Sequence, residues 1–302
     1  MTERIGVERL SVFFNPEMEV ERIIGFLKSE IGDSPAVVAV SGGLDSDIVT
    51  RLTVRAIGAT RTKLFVVLQD NMDPRHLANV ATLADEVDAP LVRIDLRGMP
   101  LRLIEAMAVA DPAEMFNPEG ILDPARAKCS IRTPILSTYQ DRGYVVVGTS
   151  NRSELETGFF LPFGDGLAHV QPIIHLYKIQ VRCLAGSLRV RQEVLDQPAS
   201  SGFWLGAEDL WDIAYWLFVG EPIRRDRNYT EEDLSEITRI HSELTTERVD
   251  QALFAIATGL ADRAVADASG LTEPLVARLR KLVQVARPRK QRPFFRRLAP
   301  IP

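Results

Sequence analysis

Between residues 16 and 31 the apolar positions Val20, Ile23, Ile24, Leu27 and Ile31 recur every three or four residues behind an Asn-Pro start, a pattern that predicts an amphipathic helix. The pattern then changes. AVVAV (36–40), KLFVVL (63–68), PLVRIDL (90–96) and YVVVG (144–148) are short, continuous apolar runs, as expected of strands buried on both faces. A fifth strand is expected over His169–Ile174. Helical spacing separates the runs, over Ile48–Ile57, His76–Val87 (with Ala78, Ala81, Leu83 and Ala84 toward the core), Leu101–Ala108 and Ala125–Asp141, with a Pro-rich loop at 111–124. Strands alternating with helices argue for a doubly wound, parallel five-stranded α/β sheet. From Trp204 only helical patterns remain, over Leu210–Val219, Glu231–Ser242, Glu247–Asp267 and Glu273–Ala286. The expected organisation is an α/β domain over 1–203, a helical C-terminal region over 204–286 and a tail over 287–302.

Composition narrows the class without naming a function. A chain of 302 residues with 46% hydrophobic and 25% charged positions has ample material for a globular core. No apolar run approaches the ~20 residues that span a bilayer, and MTERIGVERL lacks the basic-then-apolar pattern of an export signal. Cys129 and Cys183 are too few for a disulfide framework. A cytoplasmic protein without membrane contact is expected. The net charge of −5 hides an asymmetry, because Arg287, Arg289, Lys290, Arg292, Arg296 and Arg297 crowd the tail while the body is acidic. A basic arm suits nucleic acid, a membrane surface or a phosphate-bearing ligand.

The chemistry concentrates where AVVAV runs into Ser41-Gly42-Gly43-Leu44-Asp45-Ser46 ahead of a helix. Two glycines let the backbone turn tightly and approach a ligand. Loop and helix N-terminal N–H groups then converge on one concavity, an anion site suited to phosphate. Ser41 and Ser46 add hydroxyls, and Asp45 supplies a hard oxygen for a magnesium–phosphate complex. No lysine follows, which excludes the GxxxxGK(S/T) loop of kinases and GTPases.

This strand–SGGxDS–helix unit resembles the PP-loop of the ATP pyrophosphatases, which holds the β,γ-pyrophosphate while the α-phosphate is attacked. A second stretch narrows the resemblance. Gly148-Thr149-Ser150-Asn151-Arg152-Ser153-Glu154, then TGFF, FGDG, Pro172 and HLYKIQV, is similar in order and spacing to the NAD synthetase family. The resemblance covers about residues 16–220 and the extreme C-terminus, and it implies a Rossmann-like fold with ATP as co-substrate. It implies that Asp45 and Glu154 hold magnesium and that Lys178 is a cation for the phosphates. It also puts Gly42, Gly43, Leu68, Lys128, Arg132 and Thr149 on the nucleotide, and Phe160, Asp165 and His169 on the side of the acyl substrate. A homodimer is implied as well.

The substrate side departs from the family. TKxGDGGxD reads LPFGDGLAH here, with Pro162, Leu167 and His169 for Lys, Gly and Asp. Ser130 replaces an Arg, Gly202 stands where an Asp is usual, and the QxDE element is shortened within PASSGFWLGAEDLWDIAY. Retained ATP-side residues beside altered carboxylate-side residues predict adenylation chemistry with a changed acyl substrate. His76, His175 and His241 show no metal-ligand spacing and read as surface or packing residues. Phe203, Trp204, Trp211, Trp216 and Phe218 read as core packing, or as a lid over an aromatic substrate.

The expected reaction is transfer of AMP from ATP to a carboxylate, followed by attack of ammonia. The loop begins at residue 41, so no glutaminase domain is expected upstream and ammonia comes free or from a partner. The carboxylate is nicotinic acid adenine dinucleotide in the family; a different carboxylate in a specialised biosynthetic pathway is the alternative. A nucleotide-binding protein without catalysis and a tRNA-modifying enzyme are further alternatives. The tail RPRKQRPFFRRLAPIP resembles the basic, Pro-containing segment that closes the family's site, with Arg289 where His is usual, and so reads as a phosphate-facing or partner-bridging strap rather than a nucleic-acid arm.

Overall fold

A computed structural model describes residues 14–200, 208–222, 228–290 and 296–297. The chain opens with α1 (Pro16–Ile31), capped by the Asn15 side chain and ended at Gly32. Alternation follows: β1 (Ala36–Ala39), α2 (Leu44–Ile57), β2 (Thr62–Leu68), α3 (Pro74–Val87), β3 (Leu91–Asp95) and α4 (Met99–Ala110). Then come α5 (Leu122–Ser130), α6 (Arg132–Gln140), β4 (Val145–Val147), α7 (Arg152–Thr157) and β5 (Val170–Gln171). The helices α8 (Lys178–Leu188), α9 (Gln192–Leu195), α10 (Asp209–Val219), α11 (Glu231–Glu243), α12 (Thr246–Ala257), α13 (Asp262–Ser269) and α14 (Glu273–Lys290) follow, and β6 (Arg296–Arg297) is the last described element.

The strands run parallel in the order β3-β2-β1-β4-β5-β6. The five expected strands form the doubly wound sheet, and β6 extends it. Period-2 alternation divides the strand side chains between two layers. Ala36, Val38, Leu64 and Val66 pack with Ile23, Leu27, Ile48, Leu52, Val181 and Leu184 of α1, α2 and α8. Val37, Phe65, Val67 and Val146 face Leu136 and Tyr139 of α6. A separate core joins α10–α14 through Ile213, Leu217, Ile240, Leu253, Val276 and Leu279, and Tyr177, just ahead of α8, is buried in it.

Several expected boundaries move for local reasons. The helix expected over Ala125–Asp141 breaks at Ile131, because Pro134 has no N–H for the Ser130 carbonyl. The strand expected over His169–Ile174 stops at Gln171 before Pro172. Glu247–Asp267 is two helices, separated around Gly259 at φ 85°. On α3 the buried face is His76, Asn79, Val80, Leu83 and Ala84, whereas Ala78 is exposed. Gly202, Phe203, Trp204 and the domain boundary at 203 lie outside the described residues, as does most of the basic tail. Trp216 packs on Phe159 with centroids 4.1 Å apart, and Trp211 stacks on His241 at 3.7 Å. Among the described residues no helix is long and apolar enough to cross a membrane.

Candidate active site

Strands β2 and β3 lie to one side of β1 and β4, β5 and β6 to the other, so the winding reverses between β1 and β4. In such sheets ligands collect beyond the carboxyl ends of the strands at this reversal. A cavity of about 290 Å³ opens there. Ser41, Gly43, Asp45 and Ser46 wall it from the β1–α2 loop, Thr149 and Glu154 from the β4–α7 segment, and Lys178 from the start of α8. Arg132 and Asp165 also line it. The two motif regions, far apart in the chain, thus face one space.

The loop's shape depends on α3. Gly42 has φ 83°, and a Cβ there would lie 2.2 Å from the His76 carbonyl oxygen, so only glycine fits. His76 Nδ1 meets the Ser41 carbonyl at 3.1 Å and Asn79 Nδ2 donates to the Gly42 carbonyl at 3.2 Å. Because a trans peptide points its N–H opposite to its C=O, holding these carbonyls on α3 turns the Gly42 and Gly43 N–H groups away from it. Ser46 Oγ donates to the Gly43 carbonyl (3.0 Å) and accepts from the Ser41 N–H (3.2 Å). The α2 N-terminus at Gly43 has no side-chain cap, and its N–H groups and dipole favour an anion. Behind the loop, Arg191 donates to Asn79 Oδ1 at 3.1 Å and pairs with Glu86, which also pairs with Arg51 on Asp47. His76 is therefore a loop-holding residue. The sequence signal for this role was a polar pair, three residues apart, on the core face of a helix.

Lys178 Nζ contacts Asp45 Oδ2, and Asn151 Nδ2 donates to Asp45 Oδ1 at 3.4 Å. Glu154 is locked by a reciprocal cap: its N–H donates to Asn151 Oδ1 at 3.0 Å, and its Oε2 accepts from the Asn151 N–H at 3.2 Å. Burial, with Asp45 and Asp209 opposite, pushes the Glu154 carboxyl well above the usual carboxylate range, against the pull of Lys178. Burial disfavours the charge on Lys178, but Asp45, Glu154 and Asp209 outweigh it and hold the ammonium above the usual lysine range. Asp209 and Asp212 of α10 line the cavity, and Asp209 belongs to this charge cluster. Neither residue stood out in the sequence, because an Asp on an amphipathic helix carries no motif.

Other expected residues stand elsewhere. Gly42, Leu68, Lys128, Phe160 and His169 are not in the cavity wall. Lys128 Nζ donates to the Asp70 carbonyl at 3.2 Å. Phe160 is buried with Leu155 and Ile174. His169 Nδ1 accepts from the Val146 N–H at 2.9 Å, and the His169 backbone N–H donates to the Val146 carbonyl at 2.9 Å, so ring and backbone together complete the β4–β5 edge. Asp165, which does line the cavity, is half-buried beside Cys129, whose thiol faces its carboxylate at 3.8 Å, and it accepts from the Leu161 N–H at 3.2 Å. Burial raises both groups.

The NAD synthase family model matches residues 19–247. The chain belongs to the NAD synthase family. It is 31% identical over 201 residues to an NH3-dependent NAD+ synthetase of Methanococcoides burtonii, covering 63% of this chain and 72% of that protein. Its fold is similar to the NH3-dependent NAD synthetase from Campylobacter jejuni, with TM-score 0.64 and 20% identity over 93% of this chain and 98% of that one. It is similar too to NMN synthetase from Francisella tularensis, with TM-score 0.57 and 24% identity over 78% of this chain and 96% of that one. Membership of the NAD synthase family makes this an amide-forming, ATP-dependent ligase, as the motifs implied.

Proposed function

We propose that this chain adenylates a carboxylate with ATP and passes the acyl group to ammonia, with nicotinic acid adenine dinucleotide as the first candidate substrate. The observation that carries this reading is the meeting of Asp45, Glu154 and Lys178 with the amide edge of the SGGLDS loop in one cavity. A carboxylate oxygen bonds to the α-phosphorus while the bond to the β,γ-pyrophosphate breaks and pyrophosphate leaves. Ammonia then bonds to the acyl carbon, AMP leaves with its oxygen, and a proton is lost to solvent. Loop N–H groups and the Lys178 ammonium offset charge on the departing pyrophosphate, and positioning supplies most of the remainder. No side-chain nucleophile is required.

Among the described residues no group of three or more His, Cys, Asp or Glu is arranged to hold a metal alone. The hard oxygens of Asp45 and Glu154, with an excess of half-buried acids around Lys178, fit a magnesium ion that also takes phosphate oxygens. When bound, magnesium neutralises phosphate charge and polarises the phosphoryl group.

Altered substrate-side positions support a second reading, an amide synthetase for another carboxylate. His169 is engaged with Val146 rather than directed into the cavity, and Pro162 and Leu167 bring no charge. Pyrophosphate release with ATP, magnesium, ammonia and nicotinic acid adenine dinucleotide, then with nicotinic acid mononucleotide and a wider carboxylate panel, separates the two. Ammonia-dependent release with the dinucleotide supports the first reading, and release only with another acid supports the second. No release with any acid refutes both. We also infer a homodimer, supported by the resemblance and by the exposed Met99, Leu101, Leu103 and Val109 on α4; sedimentation as a monomer would contradict it.

A further inference from the structure

Besides Asp209 and Asp212 in the cavity wall, the helical region beyond residue 208 reaches the reacting end of the molecule through a buried acid on a second helix. Asp250 lies on α12 and is 1% exposed. Both of its carboxylate oxygens are used on elements of the active site. Oδ1 accepts from Ser153 Oγ at 2.5 Å, and Oδ2 accepts from the Ile179 N–H at 2.8 Å. Ser153 Oγ in turn accepts from the Lys178 N–H at 3.0 Å. Asp250 and Ser153 therefore take the first two N–H groups of α8, which a helix of its own cannot satisfy. A carboxylate at that end is favoured by the helix dipole as well.

The two residues held this way flank the chemistry. Lys178 carries the ammonium on Asp45, and Ser153 immediately precedes Glu154. Packing does not fix this junction unaided, since a cavity of about 50 Å³ lies against Ser153, Glu154, Lys178 and Asp250. The first turns of α7 and α8 can therefore shift into free space unless hydrogen bonds hold them.

We propose that Asp250 is a positioning residue for amide formation, a cap supplied by the C-terminal helical region that sets Lys178 and Glu154 relative to Asp45. This rests on the adenylation reading of the cavity. Asp250 touches no reacting atom. It acts through the α8 N-terminus and Ser153, so the helical region is part of the catalytic apparatus and not an accessory layer.

Three variants test the assignment. Asp250→Ala removes both acceptors and lowers kcat by about 10- to 100-fold, the effect of a displacement near 1 Å, while KM for ATP changes far less. Asp250→Asn keeps an acceptor for the Ile179 N–H and can donate to Ser153 Oγ, so it recovers most of the lost kcat. Ser153→Ala, a smaller deletion, releases the Lys178 N–H and lowers kcat in the same direction; it serves as the decisive variant where Asp250→Ala does not fold. Unchanged kcat in a folded Asp250→Ala or Ser153→Ala protein, or an Asp250→Asn protein as slow as Asp250→Ala, overturns the proposal. Hydrogen exchange of the Lys178 and Ile179 amides supplies a readout that needs no acyl substrate. Faster exchange in the variants supports the cap even where the wild-type enzyme turns over no tested carboxylate, and unchanged exchange overturns it.

Discussion

Gly42→Ala is the sharpest perturbation of the SGGLDS loop. At φ 83° an alanine pays about 1–2 kcal/mol for the left-handed backbone. Its Cβ would also fall 2.2 Å from the His76 oxygen, 2.7 Å from its carbonyl carbon and 2.8 Å from its Cα. These are backbone atoms, so no rotamer change relieves the overlap, and overpacking of this kind costs about 1–3 kcal/mol. Retreat of the loop from α3 instead strains the bonds from His76 and Asn79 to the Ser41 and Gly42 carbonyls, at about 1 kcal/mol each. The two routes converge on a loss of about 2–5 kcal/mol, a drop in Tm on the order of 5–15 °C. A displaced loop also lowers pyrophosphate release by about 100-fold. Gly43→Ala is the matched control. Gly43 has φ −92° and ψ 169°, and its Cβ would meet only Ser41 Oγ at 3.5 Å, so its Tm stays within about 3 °C of wild type. Thermal unfolding and pyrophosphate-release kinetics on both variants decide the matter. A Gly42→Ala enzyme with wild-type Tm and wild-type release would refute the loop geometry and the role given to α3.

Lys178→Met lowers kcat by about 100- to 1000-fold, the usual result of removing one preorganised charge-stabilising donor; steady-state kinetics that stay within threefold of wild type would exclude the role. His169→Ala leaves the buried Val146 N–H without its acceptor and lowers stability by about 1–3 kcal/mol, while KM for the carboxylate is unchanged; a large KM effect without a Tm effect would return His169 to the substrate side. Acidification destabilises the fold through His175 and Glu19, whose Nε2···Oε1 contact is 2.6 Å. Burial holds His175 below 6.5, so the unfolded chain binds the extra proton first and stability falls as pH drops below 6.5. Glu19 lies below 4.5 because, against burial, His175 and Arg22 hydrogen-bond its charged form, and it adds a second loss as pH falls below 4.5. His175→Gln flattens the decline of Tm between pH 7 and 5 measured by calorimetry; an unaltered slope would show that other groups dominate.

Much of this molecule was legible in one dimension. Strand and helix periods, the SGGLDS turn and the Gly-Thr-to-Glu spacing are local properties, written into residues that are neighbours along the chain, and the doubly wound sheet follows from their alternation. Local chemistry also explains where the reading slipped, since Pro134 and Pro172 ended elements that hydrophobic periodicity alone would continue. Only the tertiary structure decided the rest. It brought Lys178 onto Asp45 across 133 positions and Asp250 onto Ser153 across 97. It set His76 and Asn79 against the Ser41 and Gly42 carbonyls as the clasp of the SGGLDS loop, and His169 against Val146 at the β4–β5 edge. A histidine or an aspartate has the same helical period whether it meets solvent, a carbonyl or a substrate. Its role depends on what the fold places opposite it, and that pairing is set by packing between distant segments.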